Sequence, residues 1–308
     1  MKTIHCDTNY IGQHIIQLEE TDSTNDVIKR LLKDGVTLES SCNGVGRLIE
    51  GSPAEGLLVT ADNQTAGRGR RGRVWSTEPE ESLSMSILLK PQMPTDRMAM
   101  ITLVAAMAVA RSLKNLYNVM PKIKWPNDIV LGNRKVCGIL TELQMVELKL
   151  NDVHNTMNVH ASREGKTFID YMNAAMDTHK QPYVIVGIGV NVNQGSWPDE
   201  IADTATSIYL QTGKKAAKEV LVESIAKNLE AYYERFLEYG DMSGLYDEYN
   251  EWLAGRGAEV KVLDPNGEYV GVSEGIDPNG NLLVRDKSGK INKVYSGEVS
   301  VRGIYGYV

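Results

Sequence analysis

Apolar positions along the chain change their period several times, and each change marks an element. Residues 12–20 read as a short strand leading into Thr21-Asp22-Ser23-Thr24-Asn25. Val27, Ile28, Leu31 and Leu32 then recur at helical spacing, which predicts a helix capped by Asp22 or Ser23 and ended by Gly35. Residues 36–56 are rich in Ser, Gly and Asn and read as a loop. Strands are expected over 57–61 and 82–90, before Pro91 and Pro94 break the chain. The helix predicted over 96–117 is apolar around much of its surface, which places it in a core.

Shorter runs follow at 122–125, 129–131 and 136–145, with Gly132-Asn133 between the last two, the pattern of a β-hairpin. Residues 146–181 are polar, with one weak helical stretch near 166–176. A continuous apolar run over 183–192 suits a fully buried strand. Val220, Leu221, Ile225, Leu229, Tyr232, Tyr233 and Phe236 mark a long amphipathic helix over 214–239. From Gly255 onward, short alternating runs are separated by Asp-Pro-Asn-Gly and Asp-Lys-Ser-Gly turns, which predicts a small β-barrel.

Composition narrows the class. The chain has 308 residues, 42% hydrophobic and 24% charged, as expected for one large globular domain and a smaller one. Its net charge of -7 argues against a duplex-DNA surface, and the seven basic and seven acidic residues over 256–308 cancel. The opening residues lack the apolar core of a secretory signal, and the most apolar stretch, 98–110, is too short to span a bilayer. No membrane association is expected. Cys6, Cys42 and Cys137 are scattered without metal-ligand spacing, which fits a reduced cytoplasm.

Against this acidic background, residues 67–75 place Arg68, Arg70, Arg71 and Arg73 among Gly67, Gly69 and Gly72, with Trp75 at the end. A flexible cationic loop of this kind suits a specific anionic ligand, and the indole offers a ring to a base. The glycine spacing has the form of a dinucleotide fingerprint, but Val-Trp-Ser-Thr-Glu-Pro follows instead of a helix. Arg-Val after Gly72 excludes the Walker loop as well. On this segment alone, a solvated or RNA-binding loop stays open.

Three further polar clusters lie at strand ends or turns, where ligands are commonly met. They are Ser23-Thr24-Asn25, Lys124-Trp-Pro-Asn-Asp128 continuing to Lys135 and Gly138, and Gly187-Ile-Gly189-Val-Asn191-Val-Asn193. Each has a plainer reading: Ser23 as a helix cap, Trp125 to Asp128 as a rigid turn, the glycines as close packing, the asparagines as a strand end. His154, His160 and His179 are irregularly spaced and read as part of a surface insertion rather than a metal site.

Together and in order, these clusters resemble the catalytic domain of biotin protein ligases. The resemblance rests on Asp22-Ser-Thr-Asn25, Gln64-Thr-Ala-Gly-Arg-Gly-Arg-Arg-Gly-Arg-Val-Trp75, Lys124-Trp-Pro-Asn-Asp128, Arg134-Lys-Val-Cys-Gly-Ile-Leu-Thr-Glu142 and Gly187-Ile-Gly-Val-Asn191. It covers nearly the whole chain. It implies an α+β fold: a mixed β-sheet flanked by helices, like that of class II aminoacyl-tRNA synthetases, over 1–254, and an SH3-like barrel over 255–308.

The resemblance also implies a two-step, ATP-dependent reaction: biotin is activated as biotinyl-5′-AMP, then transferred to a lysine of a biotin carboxyl carrier domain. It assigns Lys135 to both the carboxylate and the α-phosphate, and Arg68, Arg70 and Arg73 to the carboxylate and phosphates. Trp75 would wall the adenine, with Asn127 and Asn191 hydrogen-bonding it. Ser23, Thr24, Asn25 and Gln64, with backbone at Gly67, Gly138 and Gly187, would meet biotin. Asp128 would position Mg²⁺ or the incoming lysine; Arg71 receives no role.

Three features depart from the family pattern. The biotin motif begins by residue 22, leaving no room for an N-terminal helix-turn-helix and hence for a repressor role, and 36–56 and 146–181 are longer than usual. The competing readings are a lipoate-type ligase of the same fold, a non-catalytic nucleic-acid binder and a nicotinamide-dependent oxidoreductase. Oligomeric state is open, a homodimer included. The loop over 64–74 is expected to be mobile without ligand and to close over the adenylate.

Overall fold

A computed structural model of the chain describes residues 3–39, 47–50, 53–76, 79–147, 180–264, 267–296 and 300–303. Seven strands form one sheet: β1 (Ile15–Thr21), β4 (Leu58–Gln64), β5 (Ser82–Leu89), β6 (Lys122–Lys124), β7 (Asp128–Leu131), β8 (Arg134–Glu147) and β9 (Lys180–Asn191). Their order is β1-β4-β5-β9-β8-β7-β6, and only β1 and β4 run parallel.

The two faces of the sheet bury different partners. Leu58, Val184 and Val186 point into the large core, while Val59 and Ile185 point to the other side. On that other side sits α1 (Thr24–Asp34), whose Ile28, Leu31 and Leu32 cover Leu57, Val59, Leu88, Tyr183 and Ile185. Gly35 ends this helix at φ 63°, a left-handed conformation that glycine adopts without steric cost. Against the opposite face pack α2 (Ile101–Tyr117) and the long helix Lys218–Tyr239.

Strand β5 explains where the site lies. It reads Ser-Leu-Ser-Met-Ser-Ile-Leu-Leu, so one face alternates Leu83, Met85 and Ile87 into the core. The α1 face carries Ser82, Ser84 and Ser86 before Leu88. Its apolar end therefore holds the helix, and its polar end is left for a pocket beside the helix N-terminus.

A second, five-stranded antiparallel sheet of the SH3-like kind has the order β13-β12-β11-β10-β14. Its strands are β10 (Glu259–Asp264), β11 (Gly267–Ile276), β12 (Leu282–Asp286), β13 (Ile291–Val294) and β14 (Ser300–Gly303). Val260, Val262, Ile276, Leu282, Val284 and Val294 join it to the main core. Trp125 Nε1 donates to the Gly280 carbonyl at 3.0 Å, and Asn250 exchanges hydrogen bonds with the main chain of Ile276.

Several expectations need correction. Residues 36–56 are not all loop: β2 (Val36–Glu39) pairs antiparallel with β3 (Arg47–Glu50). The 146–181 segment begins and ends in strand, because β8 runs on to Glu147 and pairs with β9 from Lys180. Its predicted helical stretch, its three histidines and Cys42 lie outside the described residues. The helix predicted from 96 starts as a 3₁₀ turn, Thr95–Met100, and becomes α-helical at Ile101. Together they make 23 residues, which by length and composition is enough to cross a membrane; 72% of the apolar window is buried in the protein, so it is a core helix. Short helices at Asp199–Ala202, Ile208–Thr212 and Tyr246–Trp252 went unread, being too short to show a helical period.

Candidate active site

A pocket opens where the N-terminus of α1 meets the polar end of β5 and the middle of β8 and β9. Its inner end is neutral and hydrogen-bonded. Gln64 Oε1 accepts from Thr24 N at 2.9 Å and lies 3.2 Å from Thr24 Oγ1. Ser86 Oγ lies 2.7 Å from Thr24 Oγ1 and 2.6 Å from Asn25 Oδ1. Ser23 occupies the helix N-cap position with extended backbone, but its side chain makes no capping bond and faces the pocket. The capping reading thus holds for the backbone and not for the hydroxyl.

The floor is made of glycines. An ideal Cβ on Gly187 would stand 2.4 Å from Asn25 Oδ1, and one on Gly189 would stand 2.4 Å from the Trp75 ring. Only residues without a side chain let the Asn25 amide and the indole lie this close to the sheet. Leu140, opposite Gly187, supplies an apolar side chain to the middle section, which Met85, Ile139 and Ile188 border while their side chains join the large core on the other face.

The mouth is cationic. A bulge in the pairing of β7 with β8 breaks strict alternation, so Lys135 and Gly138 share the pocket face while Val136 and Cys137 between them are both buried. Lys135 Nζ lies 2.7 Å from Asp128 Oδ1 and 5.5 Å from the centre of the Trp75 ring. Among the described residues, the buried Trp75 Nε1 finds no hydrogen-bond partner. Burial lowers the Arg70 guanidinium from its ordinary pKa, with Asp128 opposing the shift and Arg71 and Arg73 adding to it.

The arginine loop folds back on itself. Trp75 N donates to Gly67 O at 2.9 Å and Gly69 N to Arg73 O at 2.7 Å, around a 3₁₀ turn, Arg70–Gly72, with Arg71 at φ 59°. Two arginines tie it down. Arg68 Nη2 is 2.5 Å from Asp26 Oδ1 and 3.5 Å from Glu142 Oε2. Arg70 donates to Asn127 Oδ1 at 2.8 Å and to the main-chain carbonyl of Ser296, just beyond β13.

Most of the sequence-predicted residues therefore meet in one place: Ser23, Thr24, Asn25, Gln64, Arg68, Arg70, Trp75, Asn127, Lys135, Gly138 and Gly187 all line the pocket. Four do not. Gly67 is buried at the loop base, where an ideal Cβ would stand 2.5 Å from the Trp75 carbonyl. Arg73 is exposed and outside the lining. Asp128 lies behind Lys135. Asn191 is buried away from the lining, its Nδ2 donating to Thr206 O at 3.0 Å and Lys135 O at 3.4 Å. Asn127 is likewise engaged, since Nδ2 also faces Asp128 Oδ1 and Ile139 O at 3.1 and 3.2 Å.

Sequence reasoning named Gly189 only within its cluster, and missed Ser84 as a lining residue, Ser86 as the buried partner of Thr24 and Asn25, and Glu142 as the partner of Asn25 at 2.7 Å. The signal for the serines was present: three at alternate positions of an otherwise apolar strand. Among the described residues, no group of three or more His, Cys, Asp or Glu could hold a metal ion.

Residues 46–157 match the biotin/lipoate A/B protein ligase family, and residues 257–302 match the biotin protein ligase C-terminal domain. The bifunctional ligase/repressor BirA of Bacillus spizizenii is 30% identical over 298 residues, covering 96% of this chain and 76% of that protein. The biotin–[acetyl-CoA-carboxylase] ligase of Mycobacterium tuberculosis is 28% identical over 262 residues, covering 83% of this chain and 82% of that one. Among solved structures, the Aquifex aeolicus biotin protein ligase in complex with biotin and ATP superposes with a TM-score of 0.69 at 27% identity, over 94% of this chain and 99% of that chain.

Proposed function

This chain belongs to the biotin/lipoate A/B protein ligase family, and from that premise we propose that it is a biotin protein ligase. It activates biotin with ATP and transfers it to a lysine of a biotin carboxyl carrier domain. One observation carries the reading: a single pocket runs from a neutral hydrogen-bonding end, past an apolar section, to a cationic mouth. Biotin has the same order of parts, a ureido head, an apolar ring and chain, and a carboxylate.

In the first step an oxygen of the biotin carboxylate attacks the α-phosphorus of ATP. The bond from that phosphorus to the bridging oxygen breaks, and pyrophosphate leaves with the electron pair. Two anions must approach, so fixed positive charge has to offset their repulsion. Lys135 fits that task, and its distance of 2.7 Å from Asp128 keeps Nζ over the floor beside Gly138. Arg70 serves the phosphates, with Asn127 as its holder in place of an adenine contact. Arg68 serves the carboxylate side, and Arg73 reaches phosphates only on loop closure. Trp75 offers its ring to the adenine. Asn191 supports the Lys135 strand from behind.

In the second step the amine of the acceptor lysine attacks the carbonyl carbon of the adenylate, and AMP leaves. Closure of the loop over the anhydride keeps water away from it. The protein builds no cage for Mg²⁺ among the described residues, and Asp128 is engaged by Lys135. Mg²⁺ therefore belongs to this proposal as a companion of the ATP phosphates, the usual way that ion is held in nucleotide sites.

The proposal places substrate binding in residues 1–254 and the barrel in 255–308, linked through the Arg70 bond to the Ser296 carbonyl. A cytoplasmic location fits two buried free thiols, Cys6 and Cys137. No DNA-binding role is included, because a net charge of -7 opposes a phosphate backbone. The test is biotin-dependent ATP–pyrophosphate exchange, followed by labelling of a carrier domain. Exchange with biotin and none with lipoate is expected; no exchange with biotin would overturn the reading.

A further inference from the structure

Behind the inner end of the pocket lies an ion cluster centred on Glu142, a residue given no part in the adenylation chemistry. Glu142 takes Lys29 Nζ at 2.7 Å on Oε1, and Arg68 Nη2 at 3.5 Å and Asn25 Nδ2 at 2.7 Å on Oε2. Held between two cations, this carboxylate offers acceptors only. The amide nitrogen of Asn25 must therefore face Glu142, and its oxygen must face Ser86. An amide oxygen cannot donate, so the single Ser86 hydroxyl hydrogen goes to Asn25 across 2.6 Å. The 2.7 Å contact between Ser86 Oγ and Thr24 Oγ1 then takes its hydrogen from Thr24. Gln64 Oε1, 3.2 Å from that hydroxyl, accepts from Thr24 N at 2.9 Å and keeps a second lone pair, so both acceptors within reach of the Thr24 hydrogen belong to the protein. Thr24, Asn25 and Ser86 are all buried, so water does not scramble the order. What Thr24 presents to the pocket is a lone pair.

We infer that Glu142 is a specificity-determining positioning residue: acting through Asn25 and Ser86, it fixes Thr24 as a hydrogen-bond acceptor and so selects ligands with an N–H at the inner end. This rests on the biotin reading and deepens it, because the ureido ring carries N–H groups beside its carbonyl. A ring oxygen in place of the N–H would set acceptor against acceptor in a dry site, the arrangement by which buried polar groups reject analogues strongly.

Glu142→Gln keeps the shape and replaces the carboxylate with an amide that can offer either end, so Asn25 and the relay are free to invert. The full-length protein is assayed by pyrophosphate exchange with biotin and with both cyclic carbamate analogues, in which a ring oxygen replaces one ureido N–H. In E142Q the biotin KM should rise about tenfold and the preference for biotin over the better carbamate should narrow about tenfold, while kcat and the ATP KM stay within about twofold. Ser86→Ala should raise the biotin KM alone, and adding it to E142Q should cost little more, because both changes break one relay.

An unchanged biotin KM and unchanged discrimination in a folded E142Q protein would overturn the inference. So would equal loss for every substrate with an early thermal transition, which marks a merely structural residue. Fully multiplicative losses in the double variant would also overturn it. Absence of exchange in the unsubstituted protein is a different failure: it removes the ligase reading itself.

Discussion

At the inner end of the pocket, Thr24, Asn25 and Ser86 are buried and joined by contacts of 2.6 and 2.7 Å; at the mouth, Arg68 and Arg73 are exposed on a loop whose main-chain hydrogen bonds close on itself. The inner end recognises a neutral group, and neutral dipoles fixed in a dry site lose little on being fixed in advance. The mouth must admit two anions and then hold them together. Charges pointed at each other there would repel in the empty pocket, so Arg68, Arg70 and Lys135 each keep a protein partner in the ligand-free state: Asp26, Asn127 and Asp128. The inner end is set before ligand arrives, and the mouth is set by exchange of partners.

If that contrast is right, removing a charge at the mouth should damage chemistry while leaving biotin binding intact. Lys135→Ala should show the largest effect: single-turnover adenylate formation slower by about 10²–10³-fold, the usual cost of one electrostatic donor to a developing charge, with biotin affinity changed by less than about threefold. A biotin KM that rises as steeply as the rate falls would place Lys135 in ground-state binding instead, and the contrast would lose its sharper half.

The inner end fails in the opposite way. On Gly187, a methyl group would stand 2.4 Å from Asn25 Oδ1, so the amide must move and with it the Ser86 and Thr24 hydroxyls. Gly187→Ala should raise the biotin KM by about 10- to 100-fold with a smaller change in kcat, since misplacement near 1 Å costs on that scale. Titration of biotin in exchange assays separates the two parameters. A fall in kcat alone would mean that the inner end also steers the chemistry.

The same contrast explains what was legible in the sequence. The mouth is written as contiguous motifs, Gly67 to Trp75 and Lys124 to Asp128, because a loop and a turn carry their chemistry locally. The α-helical and strand periods at α1, α2, β5 and β9 gave most of the sheet and both of its covers. The inner end was only half legible. Thr24 and Asn25 were found, but Ser86 is 61 positions away from Asn25 and Glu142 is 117, and no local pattern joins them. Asn127 and Asn191 look alike as motif residues, yet only Asn127 lines the pocket; Asn191 is turned by a strand end towards Thr206. Hydrogen-bond partners depend on register between distant strands, which a single sequence does not state.

Arg70 sits between the two regimes, since it reaches both Asn127 and the barrel carbonyl of Ser296. Arg70→Ala removes one cation but leaves Lys135, so adenylate formation should slow by about tenfold rather than by the larger factor. The lost tie to the barrel should also loosen the loop, and free adenylate should escape faster than transfer consumes it. Chromatographic measurement of released biotinyl-5′-AMP per turnover checks this. Slow formation with full retention would assign Arg70 to charge alone and remove its part in closure.

The smallest effect concerns motion and needs no substitution. Amide exchange followed with and without a non-hydrolysable biotinyl-adenylate should gain about ten-fold protection over 67–75, where the described main-chain hydrogen bonds are within the loop and Arg68, Arg71 and Arg73 are exposed. Amides of 84–86 in β5, paired on both sides by β4 and β9, should change by less than about twofold. The ratio between the two segments is the informative quantity, because a general stabilisation by ligand raises both together. Equal gains would mean that the mouth is as fixed as the inner end before ligand binds. Lys135 and the arginines would then have to meet the anions without changing partners, and the 2.7 Å Asp128–Lys135 pair would persist through the reaction rather than open to admit it.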